Sequence, residues 1–207
     1  MKLDKITPEK TAVLVVDMQN DFISKEGSMF NRMGHAMVDK LAAFINACRD
    51  KGIMIVYIKT NMRKDGKDIG KFADFCQPLK DRKALMKDTI GGEIYSELPV
   101  LEEDIIIVKQ KYSAFYGTNL DNVLSCNGID TVVITGVNTE ACCLSTARDA
   151  GFRNMDVAFI SDLTGTIDFP DMGYGAMTDE EMHRATLINI AMTCADVMTS
   201  EEFIEKI

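Results

Sequence analysis

Short, uninterrupted apolar runs recur along the whole chain, and they constrain its fold more than any other feature. Runs rich in β-branched residues cover positions 11–16, 53–58, 104–108, 131–135 and 155–160. Each run is apolar on both faces, which is typical of strands buried inside a parallel sheet. Segments with helical periodicity separate the runs. This alternation predicts an α/β fold, a three-layer αβα sandwich around a mostly parallel six-stranded sheet, in one domain over residues 1–207.

The helices between these runs carry recognisable start and stop signals. Gly52 directly follows a segment with apolar residues at 3.6-residue spacing, and Thr178 with Glu181 forms a capping-box pattern. Helices are predicted over residues 34–51, 119–126, 139–150 and 178–195, followed by a short sixth strand over 196–198 and a final helix from Ser200.

The charge balance excludes one large class of partner. Thirty-two acidic and 23 basic side chains give a net charge of −9, the wrong sign for binding nucleic acid through its phosphates. No apolar stretch approaches the roughly 20 residues of a membrane-spanning helix, and the N-terminal MKLDKITPEK lacks the apolar core of a secretion signal. We therefore expect a cytoplasmic protein whose partner is a small molecule, with no nucleic acid or membrane partner.

Reactive side chains stand at the carboxyl ends of three predicted strands. Asp17 and Lys109 each directly follow an apolar run, and a third run leads through residues 136–141 to Cys142. Neighbouring parallel strands lie about 4.8 Å apart, so the three side chains can converge at one edge of the sheet. Each also has a structural alternative, because Asp17 could begin a turn, Lys109 could be a solvated strand end and Cys142 could face the core.

The position of Cys142 sets it apart from the other cysteines. It lies in the first turn of a predicted helix, where unpaired N–H groups favour a thiolate, and a nearby Lys109 would lower its pKa further. Asp17 could take the thiol proton and later activate water, while the N–H groups of Asn138 and Cys142 could bind an oxyanion. Cys143 should point about 100° away around the helix. We expect buried packing roles for the other five cysteines, Cys48, Cys76, Cys126, Cys143 and Cys194.

Two long segments, 60–81 and 162–177, follow strand ends without a regular pattern. Open α/β sheets bind their ligands at that edge, so these segments are either walls or lids of a pocket or plain surface loops.

Three ordered sequence blocks resemble the isochorismatase-like cysteine hydrolases over nearly the whole chain. The blocks are TAVLVVDMQNDF, VKQKYSAFYGTNLD and TGVNTEACCLSTARDA. The resemblance implies a catalytic triad of Asp17, Lys109 (not Lys111) and Cys142. It also implies a cis peptide bond between Val137 and Asn138, and a homodimer or homotetramer.

Departures from subfamily patterns narrow the reaction that the resemblance implies. Nicotinamidases carry a metal site around an Asp-x-His motif after the second strand, but the corresponding YIKTNMRKDG has no histidine. The two histidines of the chain, His35 and His183, do not rebuild that motif, so we expect no metal and no cofactor. Enzymes of the family that cleave a vinyl ether commonly have glycine at the position of Cys142.

Retention of the thiol therefore favours hydrolysis of the C–N bond of a small amide, carbamoyl or ureido compound through a thioester, and the resemblance favours the carbamoyl and ureido branch. The expected substrate contacts are Gln19, Phe22, Asn61 and Tyr112. Two alternatives stay open: a vinyl ether hydrolase with Asp17 as the acid, and a non-enzymatic redox-sensing relative.

Overall fold

A fully parallel sheet of six strands lies at the centre of the computed structural model, which describes residues 3–207. The strands follow the order β3-β2-β1-β4-β5-β6, so the chain winds outward in both directions from the central pair. This doubly wound order confirms the predicted three-layer fold and leaves a crevice at the carboxyl ends of β1 and β4. The strands are β1 (Thr11–Val16), β2 (Met54–Thr60), β3 (Ile105–Lys109), β4 (Thr131–Val137), β5 (Asp156–Gly165) and β6 (Asp196–Met198).

Helices cover both faces of this sheet. The capping box predicted at Thr178 and Glu181 is present and starts the longest of them. The helices are α1 (Asn20–Ile23), α2 (Arg32–Ala36), α3 (Val38–Asp50), α4 (Gln77–Lys80), α5 (Leu120–Cys126), α6 (Leu144–Phe152), α7 (Asp179–Thr193) and α8 (Ser200–Ile204).

Two of the differences from the predicted bounds change the course of the chain. The helix predicted over 34–51 is two helices, α2 and α3, which meet at Met37. Gly34 allows α2 to pack closely, because a Cβ there would lie 2.9 Å from the side chains of both Ile23 and Val137. In addition, β5 runs on to Gly165, so the first residues of the predicted loop 162–177 belong to the sheet.

Burial of β1 shows why its sequence is apolar on both faces. Val13 and Val15 pack into the core cluster that contains α3, whereas Leu14 and Val16 pack into the cluster on the opposite side of the sheet. All six residues of β1 are buried, so the site at its end rests on a rigid central strand. Across residues 3–207, none of the helices combines the length and the apolar character needed to cross a bilayer.

Candidate active site

Three neighbouring strands bring polar side chains to one edge of the sheet. Asp17 directly follows β1, and its left-handed backbone (φ +52°) turns the chain at the strand end. Thr60 and Lys109 are the last residues of β2 and β3 and are register partners. Asp17 and Lys109 are fully buried and Thr60 is nearly so. Their meeting point is therefore fixed by strand register.

The Lys109 ammonium connects the carboxylate to the thiol. Its Nζ lies 2.7 Å from Asp17 Oδ2, 2.8 Å from Thr60 Oγ1, 3.1 Å from the Lys111 carbonyl oxygen and 3.3 Å from Cys142 Sγ. The Thr60 hydroxyl donates to the second Asp17 oxygen at 2.9 Å. Asp17, Lys109 and Cys142 are thus brought together as the sequence predicted. Thr60 forms hydrogen bonds with Asp17 and with Lys109.

A turn after β4 presents the thiol. The peptide bond between Val137 and Asn138 is cis, as the family resemblance implied. A π-helical turn over Thr139–Cys143 follows and leads into α6. Cys142 is 9% exposed, whereas Cys143 is fully buried with its Sγ 3.9 Å from the Thr135 carbonyl oxygen. The two adjacent cysteines therefore point in different directions, as predicted.

The protonation state of Cys142 differs from the sequence expectation. Burial raises the pKa of its thiol, the Asp17 carboxylate raises it further, and the Lys109 ammonium only partly opposes them. The expected lowered pKa is therefore wrong for the free protein. Burial alone would lower the pKa of Lys109, but the nearby Asp17 reverses this and raises it overall. The raised pKa favours the neutral form of the thiol beside the Asp17–Lys109 ion pair.

A small, mainly apolar cavity of about 90 Å³ opens above Cys142. Phe22 and Tyr112, two of the expected contacts, line it. The segment 60–81 supplies a wall of this cavity, whereas no residue of 162–177 lines it. The remaining lining residues are Met29, Thr60, Phe72, Cys76, Leu79, Leu85, Lys109 and Lys111.

Gln19 and Asn61, the other two expected contacts, do not line this cavity. Gln19 donates to the carbonyl oxygens of Thr60 (2.9 Å) and Gly92 (2.8 Å) and accepts from the Thr60 N–H (2.7 Å). The Asn61 amide donates to the same two carbonyl oxygens, at 3.0 and 2.9 Å. Both side chains satisfy buried backbone groups, so they fasten the end of β2.

The sequence did not predict the roles of several polar residues around the turn that carries Cys142. Asn31 donates to the Asn138 side-chain oxygen at 2.9 Å, and Glu140 accepts a hydrogen bond from the Thr166 hydroxyl. Burial raises the pKa of Glu140. Among the missed residues, only Thr60 has a sequence signal, because it is a hydroxyl residue at the end of a strand next to the one that carries Asp17.

The other cysteines fit the packing expectation only in part. Cys48 and Cys143 are buried, and burial raises the pKa of Cys48 to about 12. Cys194 is half-buried against the core, but Cys126 is exposed and Cys76 faces the cavity. The expectation is therefore wrong for Cys126, whereas Cys76, like Cys194, is half-buried against the core.

The family comparison decides what kind of protein carries this geometry. The model of the isochorismatase domain matches residues 11–202. The chain belongs to the isochorismatase family. As an isochorismatase-family hydrolase, it is similar to nicotinamidase 3 of Arabidopsis thaliana (31% identity, 87% of this chain and 80% of the relative). It is also similar to the ureidoacrylate amidohydrolase RutB of Acinetobacter baylyi (30% identity, 97% and 84%).

A solved structure supports the same placement. The crystal structure of a cysteine hydrolase from Pseudomonas syringae is 31% identical, has a TM-score of 0.93, and is matched over 98% of this isochorismatase-family chain and 94% of its own. Within residues 3–207, no three His, Cys, Asp or Glu side chains are grouped so that they could hold a metal ion.

Proposed function

We propose that the chain is a cysteine-dependent amidohydrolase that cleaves the C–N bond of a small amide, carbamoyl or ureido compound. The observation that carries this proposal is the contact of Lys109 Nζ with both Asp17 Oδ2 (2.7 Å) and Cys142 Sγ (3.3 Å) at the floor of a cavity. The similarity to a nicotinamidase and to a ureidoacrylate amidohydrolase supports a C–N bond as the target.

In the first half-reaction, Asp17 takes the Cys142 proton as the sulfur attacks the substrate carbonyl carbon. A base is needed because burial and the Asp17 carboxylate raise the pKa of the thiol, which favours its protonated form. The Lys109 ammonium stabilises the thiolate that forms, and the N–H groups of Asn138 and Cys142 hold the developing oxyanion. Asp17 then returns its proton to the departing nitrogen, the C–N bond breaks and a thioester remains.

In the second half-reaction, Asp17 accepts a proton from water, and the resulting hydroxide attacks the thioester carbonyl. The C–S bond breaks, the acid leaves and the proton returns to Cys142. Lys109 and Thr60 keep the Asp17 carboxylate in one orientation through both halves, since they contact its two oxygens.

The test is intact-mass spectrometry during turnover of a panel of small amides and ureas, combined with measurement of the ammonia released. We expect an acyl adduct on Cys142 and loss of ammonia release in Cys142→Ala. Cys143→Ser is the matched control, because its sulfur faces the sheet, and it should retain the adduct.

The same variants separate the alternatives. A vinyl ether hydrolase would keep its activity in Cys142→Ser, whereas the amidohydrolase would lose it because serine is far harder to ionise. If no compound of the panel released ammonia and Cys142 were oxidised reversibly, the redox-sensing alternative would be favoured. We also propose a homodimer or homotetramer, which light scattering would test.

A further inference from the structure

Two lysines and no carboxylate line the cavity above Cys142. Lys109 is neutralised by Asp17, with which it forms a fully buried ion pair at 2.7 Å. Lys111 is the other lysine, and within residues 3–207 it forms no ion pair. Its charge therefore sets the electrostatic character of a cavity that is otherwise apolar.

The Lys111 ammonium is held in place at the cavity wall without being neutralised. Its Nζ donates to the Ile69 carbonyl oxygen at 3.2 Å and lies 4.7 Å from the centre of the Phe72 ring. The Lys111 carbonyl oxygen accepts from Lys109 Nζ, so the same residue is tied to the floor of the site. A lysine held by a carbonyl and a ring keeps a donor for a ligand, because an ammonium has three N–H groups.

We propose that Lys111 binds the carboxylate of an anionic substrate and selects for it. This inference rests on the proposed function and narrows it to a short amide or ureide whose acyl or ureido part carries a carboxylate. The apolar side chains around Lys111, including Phe72 and Tyr112, reduce its contact with water and so strengthen the charge-assisted hydrogen bond. The cavity holds about three water volumes, so the carboxylate and the scissile carbonyl are only a few bonds apart.

A pair of alkylating reagents tests the charge selection without requiring turnover. Iodoacetate and iodoacetamide share one electrophile and differ in charge, and modification of the Cys142 peptide is measured by mass spectrometry. In Lys111→Met, we expect the rate of modification by iodoacetate to fall about tenfold or more. The rate with iodoacetamide should stay near the parent value. Lys111→Arg should retain the iodoacetate rate, because it preserves the positive charge.

Lys71→Met is the matched control. Lys71 is exposed, pairs with Asp74 and does not line the cavity. Lys71 lies in the wall segment 60–81, next to Phe72. A non-specific effect of removing one positive charge would therefore appear in this variant as well. Lys111→Gln repeats the test with a side chain that stays polar.

Matched substrates connect the charge selection to the reaction. Succinamate and isocaproamide have similar shapes, as do N-carbamoyl-β-alanine and isopentylurea, and only the first of each pair carries a carboxylate. We expect the parent protein to prefer the anionic member and Lys111→Met to lose that preference through KM.

Equal alkylation ratios in the parent and Lys111→Met would overturn the inference, as would equal hydrolysis of both members of a pair by the parent. If Lys111 selects iodoacetate but no panel substrate yields an acyl adduct, the proposed function fails while the anion site stands.

Discussion

Replacing Lys109 by methionine tests whether the buried Asp17–Lys109 pair stabilises the fold as well as the site. Methionine keeps a flexible apolar stem but removes the ammonium and its contacts with Asp17, Thr60, Lys111 and Cys142. Asp17 would remain as a buried carboxylate without its cation. Removing one partner of a buried ion pair costs about 3–5 kcal/mol, because the other charge is left uncompensated.

For a chain of this length, each kcal/mol lowers the melting temperature by about 2–4 °C, so we expect a decrease of roughly 6–20 °C. Lys10→Met is the matched control. Lys10 pairs with Asp130 at 3.4 Å, but both side chains are more than half exposed, and such a pair contributes about 0–1 kcal/mol.

The assay is urea denaturation followed by circular dichroism, with the m-value checked for constancy. The double variant Asp17→Asn, Lys109→Met should lose less stability than the sum of the two single variants, because the stranded charge is absent. If Lys109→Met lost no more stability than Lys10→Met, Asp17 would not be left as an uncompensated buried charge, and the assignment of a stabilising buried pair would be wrong.

Further outcomes follow from other parts of the structure. In Asp17→Asn the pKa of Cys142 should fall, because the carboxylate that raises it is absent. The pH dependence of Cys142 labelling by iodoacetamide should therefore shift to lower pH. An unshifted profile would contradict the effect of Asp17 on the thiol. The free energy of unfolding should decrease above about pH 8.5, because the unfolded thiol ionises there while the pKa of folded Cys48 is about 12; Cys48→Ala should flatten this decrease. Gly136→Ala should destabilise far more than Gly128→Ala in thermal melts, because both have positive φ but only at Gly136 would a Cβ lie 2.0 Å from a backbone oxygen. Dialysis against EDTA should leave ammonia release unchanged, because no cluster of metal-binding side chains is present within residues 3–207. Loss of activity that is restored by adding a metal would refute this.

The fold was predictable because its signals are local and agree with one another. The predicted bounds of β1 and of β6 match the structure, since apolar runs and strand pairing coincide there. The ends of β2 and β5 extend beyond their apolar runs, because polar residues such as Thr60 continue the pairing. The close packing of α2 at Gly34 is a tertiary contact that helical periodicity does not encode.

The site was predictable where backbone position alone decides it. Asp17 and Lys109 stand at strand ends, so sheet topology brings them together. Gln19 and Asn61 also follow strand ends, but their roles depend on side-chain direction and on the carbonyl oxygen of Gly92, which accepts from both and lies far along the chain. The sequence could not predict the raised pKa of Cys142 either, because it depends on the depth of burial.

The strand register at Thr60 and Lys109 also makes the site a late product of folding. The contacts of Lys109 with Asp17 and with Cys142 span 92 and 33 residues of chain. Thr60 and Lys109 end β2 and β3, Asp17 directly follows β1, and Cys142 lies in the turn after β4. Contacts this distant in sequence form slowly, because the chain loses the entropy of closing a long loop before the contact stabilises it. During refolding, activity should therefore return after helical structure does, and its recovery would report that all four strands have joined.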